Sequence, residues 1–147
     1  MIVDDDNDVA TSLKILLEHQ NYEEKEEEQE QDTTYRSTHK TRRADKEFEV
    51  VDVFNDPELA LSNFKLGRYD LLLLDIVMPK LDGFQLYEQM KNIDDNVKVC
   101  FITAYMINYD AIRNLFPNTA QIDCFIRKPI EQNELKEGIR KELKRSL

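Results

Sequence analysis

Positive charge runs short in this chain, cysteine is scarce and long apolar runs are absent, and each lack closes off a class of function. Twenty Lys and Arg face thirty Asp and Glu, for a formal net charge of −10 over 147 residues. A surface of that sign repels a phosphate backbone, so direct nucleic-acid binding is not expected. No apolar run is long enough to span a bilayer and no signal-type segment precedes the first apolar residues, so a cytoplasmic location without membrane contact is expected. The two cysteines, Cys100 and Cys124, lie in apolar stretches at neither a metal-type nor a redox-type spacing. They are expected to be reduced core residues. What is present, 41% hydrophobic residues, is enough for one domain built on a sheet flanked by helices.

The densest signal is Leu71-Leu72-Leu73-Leu74-Asp75, followed by Ile76-Val77-Met78-Pro79-Lys80-Leu81-Asp82-Gly83. Four consecutive leucines suit a strand buried on both faces, as in the middle of a parallel sheet. A carboxylate at the end of such a strand belongs at the sheet's carboxyl edge, where open α/β sheets place their ligands. The bland alternative is that Asp75 only caps the following helix. The Asp-Gly pair further on reads as a turn.

Three other stretches point to the same edge. Met1-Ile2-Val3 breaks into Asp4-Asp5-Asp6-Asn7-Asp8, with Asn7 or Asp8 expected to cap a helix beginning near Val9. Further carboxylates are not needed for capping, and packed together they repel unless a cation compensates. Oxygen ligands without His or Cys suit a hard divalent ion such as Mg²⁺. Phe101-Ile102-Thr103-Ala104 is an apolar strand ending in a hydroxyl, and Cys124-Phe125-Ile126-Arg127-Lys128-Pro129 is one ending in Lys-Pro.

With these motifs in this order, the chain resembles the receiver domain of two-component response regulators over nearly its whole length. The resemblance implies a doubly wound, flavodoxin-like α/β fold, five parallel strands in the order 2-1-3-4-5. It implies Mg²⁺-dependent transfer of a phosphoryl group from a sensor histidine kinase, or a histidine phosphotransferase, to Asp75. Asp75 is then the nucleophile; Asp4, Asp5, Asp75 and the Val77 carbonyl hold the metal; Thr103 and Lys128 contact phosphoryl oxygens. Thr103 and Phe125 form the switch pair, the Lys128-Pro129 peptide is expected to be cis, and Asp6 is a solvated loop carboxylate. Val77 and Tyr105 flank the approach of hydrolytic water. Val77 is apolar and cannot orient it, and the Tyr105 ring is expected to cover the approach instead of holding a water by its hydroxyl, so slow loss of the phosphoryl group is expected. The domain would catalyse its own phosphorylation and dephosphorylation and no small-substrate reaction. A haloacid-dehalogenase-type enzyme needs a second Asp two positions after its nucleophile, and Val77 stands there.

Along the chain, helices are expected over Val9 to about Gln20, Pro57–Leu66, Gly83 to about Ile93, Asn108–Phe116 and Glu131 to about Arg145. Strands are expected over Met1–Val3, Phe48–Phe54, Tyr69–Asp75, Val97–Thr103 and Ile122–Arg127. A charged insertion at about 23–47, acidic in its first half and basic in its second, interrupts the pattern. Its composition leaves open a disordered segment, a solvent-going extension of the first helix and a partner-docking arm.

The expected organisation is a single receiver domain over 1–147 with no output domain. By resemblance it signals to a downstream protein through the face of the fourth helix, fifth strand and fifth helix, and phosphorylation-dependent homodimerisation is left open. The alternative is a pseudo-receiver, a binding or scaffold module governed by protein contact instead of phosphorylation.

Overall fold

A computed structural model describes residues 1–18, 48–50, 52–104 and 122–145. The insertion at 23–47, the helix expected over 108–116 and Tyr105 lie outside the described residues.

Within them the order is β1 (Ile2–Val3), α1 (Asn7–Glu18), β2 (Val53–Phe54), α2 (Pro57–Asn63), β3 (Leu71–Asp75), α3 (Gly83–Ile93), β4 (Lys98–Thr103), β5 (Phe125–Arg127) and α4 (Gln132–Lys144). The strands form one parallel sheet in the order β2-β1-β3-β4-β5, the expected doubly wound topology.

The alternation of side chains along each strand divides the core in two. Leu72 and Leu74 of β3 and Val99 and Phe101 of β4 face α2 and α3, where Ala60, Phe84, Leu86, Tyr87 and Met90 meet them. Leu73, Cys100, Ile102 and Ile126 face the other way, onto Ala10, Leu13 and Leu17 of α1 and Leu135 and Ile139 of α4. A run of four leucines is therefore needed in β3 because both of its faces are covered.

The helices start on side-chain caps. Asp56 Oδ1 accepts from Leu59 N–H at 3.0 Å, with Pro57 supplying a first helical residue that needs no hydrogen bond. Asp82 and Gln85 form a capping box at α3. At α1 the cap is Asp6, whose Oδ1 accepts from Asp8 N–H at 2.9 Å and Val9 N–H at 3.2 Å. This corrects the assignment of Asn7 or Asp8: the helix begins at Asn7, the residue after Asp6, and Asp6 is its cap as well as an exposed carboxylate.

Three further expectations change. Among the described residues the second strand runs over Val53–Phe54, where it pairs with the two residues of β1 through Ile2↔Val53 and Val3↔Phe54. Phe48 and Val50 pack on the core without joining the ladder. The Asp82-Gly83 pair is a helix start instead of a turn. The cysteines are not reduced: Cys100 and Cys124 form a disulfide. The parallel register that pairs Phe101 with Phe125 sets Cys100 beside Cys124 on the same face, with Cα atoms 4.6 Å apart. The argument from cysteine usage to a reducing compartment therefore falls away.

Candidate phosphoacceptor site

Four strands end at one edge, and each delivers one of the residues singled out by pattern. Asp4 follows β1, Asp75 closes β3, Thr103 closes β4 and Lys128 follows β5. Asp4, Asp75 and Thr103 are buried, while Asp5 is exposed. The strand ends are tied to one another by the backbone. Asp4 N–H donates to Phe54 O at 3.2 Å, Ile76 N–H to Ile102 O at 3.0 Å and Lys128 N–H to Thr103 O at 2.7 Å. The Lys128–Pro129 peptide is cis.

Lys128 links the two buried carboxylates. Its Nζ lies 2.8 Å from Asp75 Oδ1 and 2.9 Å from Asp4 Oδ2, and its side chain keeps 23% exposure. The other Asp4 oxygen, Oδ1, accepts from Asp6 N–H at 3.1 Å. Burial pushes the Asp75 carboxyl up from its ordinary pKa; Lys128 pulls it back, and Asp4 and Asp5 push it up again, so the result is upward. For Lys128, burial works against its charge but is outweighed by the hydrogen bonds to Asp75 and Asp4, so its pKa is raised. Asp75 does not cap the next helix, since Asp82 does so.

Carboxylate oxygens of Asp4, Asp5 and Asp75 all lie within 4.8 Å of one another. Three carboxylates against one ammonium leave two negative charges uncompensated at the edge when all are ionised. An oxygen-only donor set with that excess matches a hard divalent cation, and the spread is comparable to the roughly 4 Å between opposite ligands of an octahedral Mg²⁺. The residues present therefore fit the metal that the sequence motifs imply.

The loop after Asp75 returns sharply: Gly83 N–H donates to Ile76 O at 2.9 Å. A Cβ on Gly83 would lie 2.3 Å from the Asp75 carbonyl oxygen, so only glycine allows α3 to start against β3. Val77 sits in this loop, 57% exposed. Phe125 is half-buried, its ring stacked on Phe101 at 5.6 Å and 27°. Pattern did not single out Lys80, which carries a positive φ and an ion pair to the start of α2. The one cue to it is its place between a proline and a capping Asp-Gly.

The response regulator receiver domain family model matches residues 29–140, a span holding Asp75, Thr103 and Lys128 and leaving Asp4 and Asp5 ahead of it. Response regulator ArlR of Staphylococcus saprophyticus is 26% identical over 145 residues, covering 99% of this chain and 52% of that protein. The transcriptional regulatory protein DltR of Streptococcus agalactiae is 34% identical over 97 residues, 66% of this chain and 42% of that protein. The chain thus spans about half the length of the curated relatives it matches. In fold it resembles a CheY-like receiver domain protein from Methanospirillum hungatei, with TM-score 0.65, 24% identity and coverage of 97% of this chain and 90% of that one. It also resembles the CheX–CheY complex of Borrelia burgdorferi, with BeF₃ and Mg²⁺, at TM-score 0.65 and 21% identity, covering 95% of this chain and 84% of the other.

Proposed function

The chain belongs to the response regulator receiver domain family of two-component signalling, and on that premise we propose that it is an active phosphoacceptor with Asp75 as its nucleophile. The observation that carries this reading is the convergence on one sheet edge of a buried Asp75, a lysine 2.8 Å from it and two further carboxylates in metal-binding range. A pseudo-receiver would have no need to keep so costly a set of charges together.

In the proposed reaction, an Asp75 carboxylate oxygen attacks the phosphorus of a phosphohistidine. The P–N bond breaks, the imidazole leaves with its electron pair and takes a proton, and Asp75 is left as a mixed carboxylic–phosphoric anhydride. Asp4, Asp5, Asp75 and the Val77 carbonyl would hold Mg²⁺, which when bound supplies positive charge for the transferring oxygens. Lys128, pinned to Asp75 and Asp4 in the resting state, re-pairs with a phosphoryl oxygen as a mobile point charge. Thr103 donates its hydroxyl to another, and Phe125 reports that shift through its packing on Phe101.

The proposed donor is a sensor histidine kinase or a histidine phosphotransferase. Beside Lys128, Val9, Leu13 and Leu16 of α1 and Pro129 and Ile130 line a cavity of about 300 Å³ whose apolar walls suit a helix of the donor. Beside β5, Asp123, Glu134, Glu137 and Glu142, with the single cation Lys141, line a cavity of about 270 Å³ whose acidic excess suits a basic segment of a downstream protein.

Incubation with acetyl phosphate and Mg²⁺ followed by intact mass tests the proposal. One phosphoryl mass is expected on wild type and none on Asp75→Asn. Labelling that persists in Asp75→Asn removes Asp75 from the role, and a wild type that gains no mass is a phosphorylation-independent module.

A further inference from the structure

The loop that follows Asp75 is tied down at its far end by a residue that touches none of the candidate site groups. Lys80 has φ 69°, and Leu81 N–H donates to Pro79 O at 2.9 Å. An i to i+2 bond with a positive φ at its centre is the rarer, strained kind of γ-turn. Glycine enters that region freely and Asn or Asp with little resistance; lysine does not. A side chain held in such a conformation persists only where its surroundings over-determine it.

The surroundings in question are two carboxylates at the start of α2. Lys80 Nζ lies 2.6 Å from Asp56 Oδ2 and 3.3 Å from Glu58 Oε2. Asp56 divides its oxygens, with Oδ1 capping α2 through Leu59 N–H and Oδ2 taking the ammonium. At its near end the loop is closed by the Gly83–Ile76 hydrogen bond. Met78 is buried and Ile76 and Leu81 pack on the core, so the core anchors the loop on either side of the mostly exposed Val77 without holding Val77 itself. Its carbonyl is the one member of the proposed metal set carried by backbone, and its place depends on the path of the loop.

We propose that Lys80 is a positioning residue: its ion pair with Asp56 and Glu58 straps the Val77–Asp82 loop to the start of α2 and so sets the affinity of the site for Mg²⁺. The inference rests on the metal set proposed above. Released from the strap, the loop relaxes away from the positive-φ turn. The metal-competent path is then less populated, and apparent affinity falls by that fraction. The pair is exposed to solvent, so the effect is moderate and weakens with added salt.

Mg²⁺ titration followed by backbone amide chemical shifts reads this without recourse to phosphorylation. The informative variant is Lys80→Met, which keeps an unbranched side chain with lysine's reluctance for positive φ and deletes the ammonium. Its half-saturating Mg²⁺ concentration is expected to rise about two- to fivefold at low ionic strength. Lys80→Arg should keep the wild-type value. Asp56→Ser with Glu58→Gln, which retains a cap for α2, should match Lys80→Met, and combining all three changes should add nothing further. Lys80→Met titrating like wild type, or Lys80→Arg failing to keep the wild-type value, overturns the strap. Failure of the metal set is a separate result: wild type would then show no saturable response at Val77, or would titrate identically with Asp75→Asn.

Discussion

Asp75 keeps a negative charge where the fold least favours one. Burial raises its pKa, and the neighbouring Lys128 offsets that only in part. A raised folded-state pKa means that the folded chain holds the Asp75 proton more tightly than the unfolded chain does. Stability contributed by this group is therefore greatest below the unfolded value, near 3.8, and is lost as pH rises through the folded one. Asp75→Asn removes the desolvated charge at every pH and leaves Lys128 paired with Asp4. The variant should melt higher than wild type at pH 7, and the gap should close as pH falls toward about 4. Melts followed by circular dichroism across that range decide the matter, and an Asn variant less stable at pH 7 contradicts it. Lys128 runs the other way. Its raised pKa makes its contribution complete through the neutral range and lost only in alkali, so it does not confuse the acid limb.

At the scale of elements, two adjacent residues at the start of α3 separate capping from close packing. Asp82→Ala deletes the capping box and should cost about 1 kcal/mol. At Gly83, helix propensity alone favours alanine by about 1 kcal/mol. The new Cβ would meet the Asp75 carbonyl oxygen at 2.3 Å, however, and that atom belongs to the backbone of a buried strand, with nowhere to move. The clash wins, and Gly83→Ala should be destabilised by about 3 kcal/mol, more than Asp82→Ala, in urea unfolding. Equal stability of Gly83→Ala and wild type would contradict the close approach. The same stretch marks how far sequence reaches. The leucine run, the acidic pair, Thr103 and Lys128 were legible because strand pattern and strand-end chemistry are local. Asp-Gly signals a turn locally, and the packing of α3 on β3 that makes Gly83 a helix start does not show in sequence. The cap at Asp6 is hidden because the apolar periodicity of α1 starts only at Val9, two residues into the helix. The extent of the second strand is decided by β1, its partner among the described residues, some fifty residues away.

For the molecule as a whole, the Cys100–Cys124 disulfide is the feature that lay furthest beyond local pattern. The two residues are 24 apart in sequence, and only the register of β4 on β5 brings them together. The bond joins strands whose carboxyl ends carry Thr103 and Lys128, inside the half of the core shared with α1 and α4. Closing a loop of that length removes conformations chiefly from the unfolded chain, which on the chain-entropy model is worth about 3 kcal/mol. Both sulfurs are buried among apolar side chains, so the folded structure should change little on reduction, and the loss should show as lowered stability instead of a changed fold. Urea unfolding with and without a dithiol reductant should differ by about that amount, with far-ultraviolet circular dichroism unchanged in the absence of urea. Alkylation of the unfolded chain without reductant should add no mass, and after reduction two adducts. Two adducts without reductant would show that the thiols are free, and the expected difference in stability would then vanish with the bond.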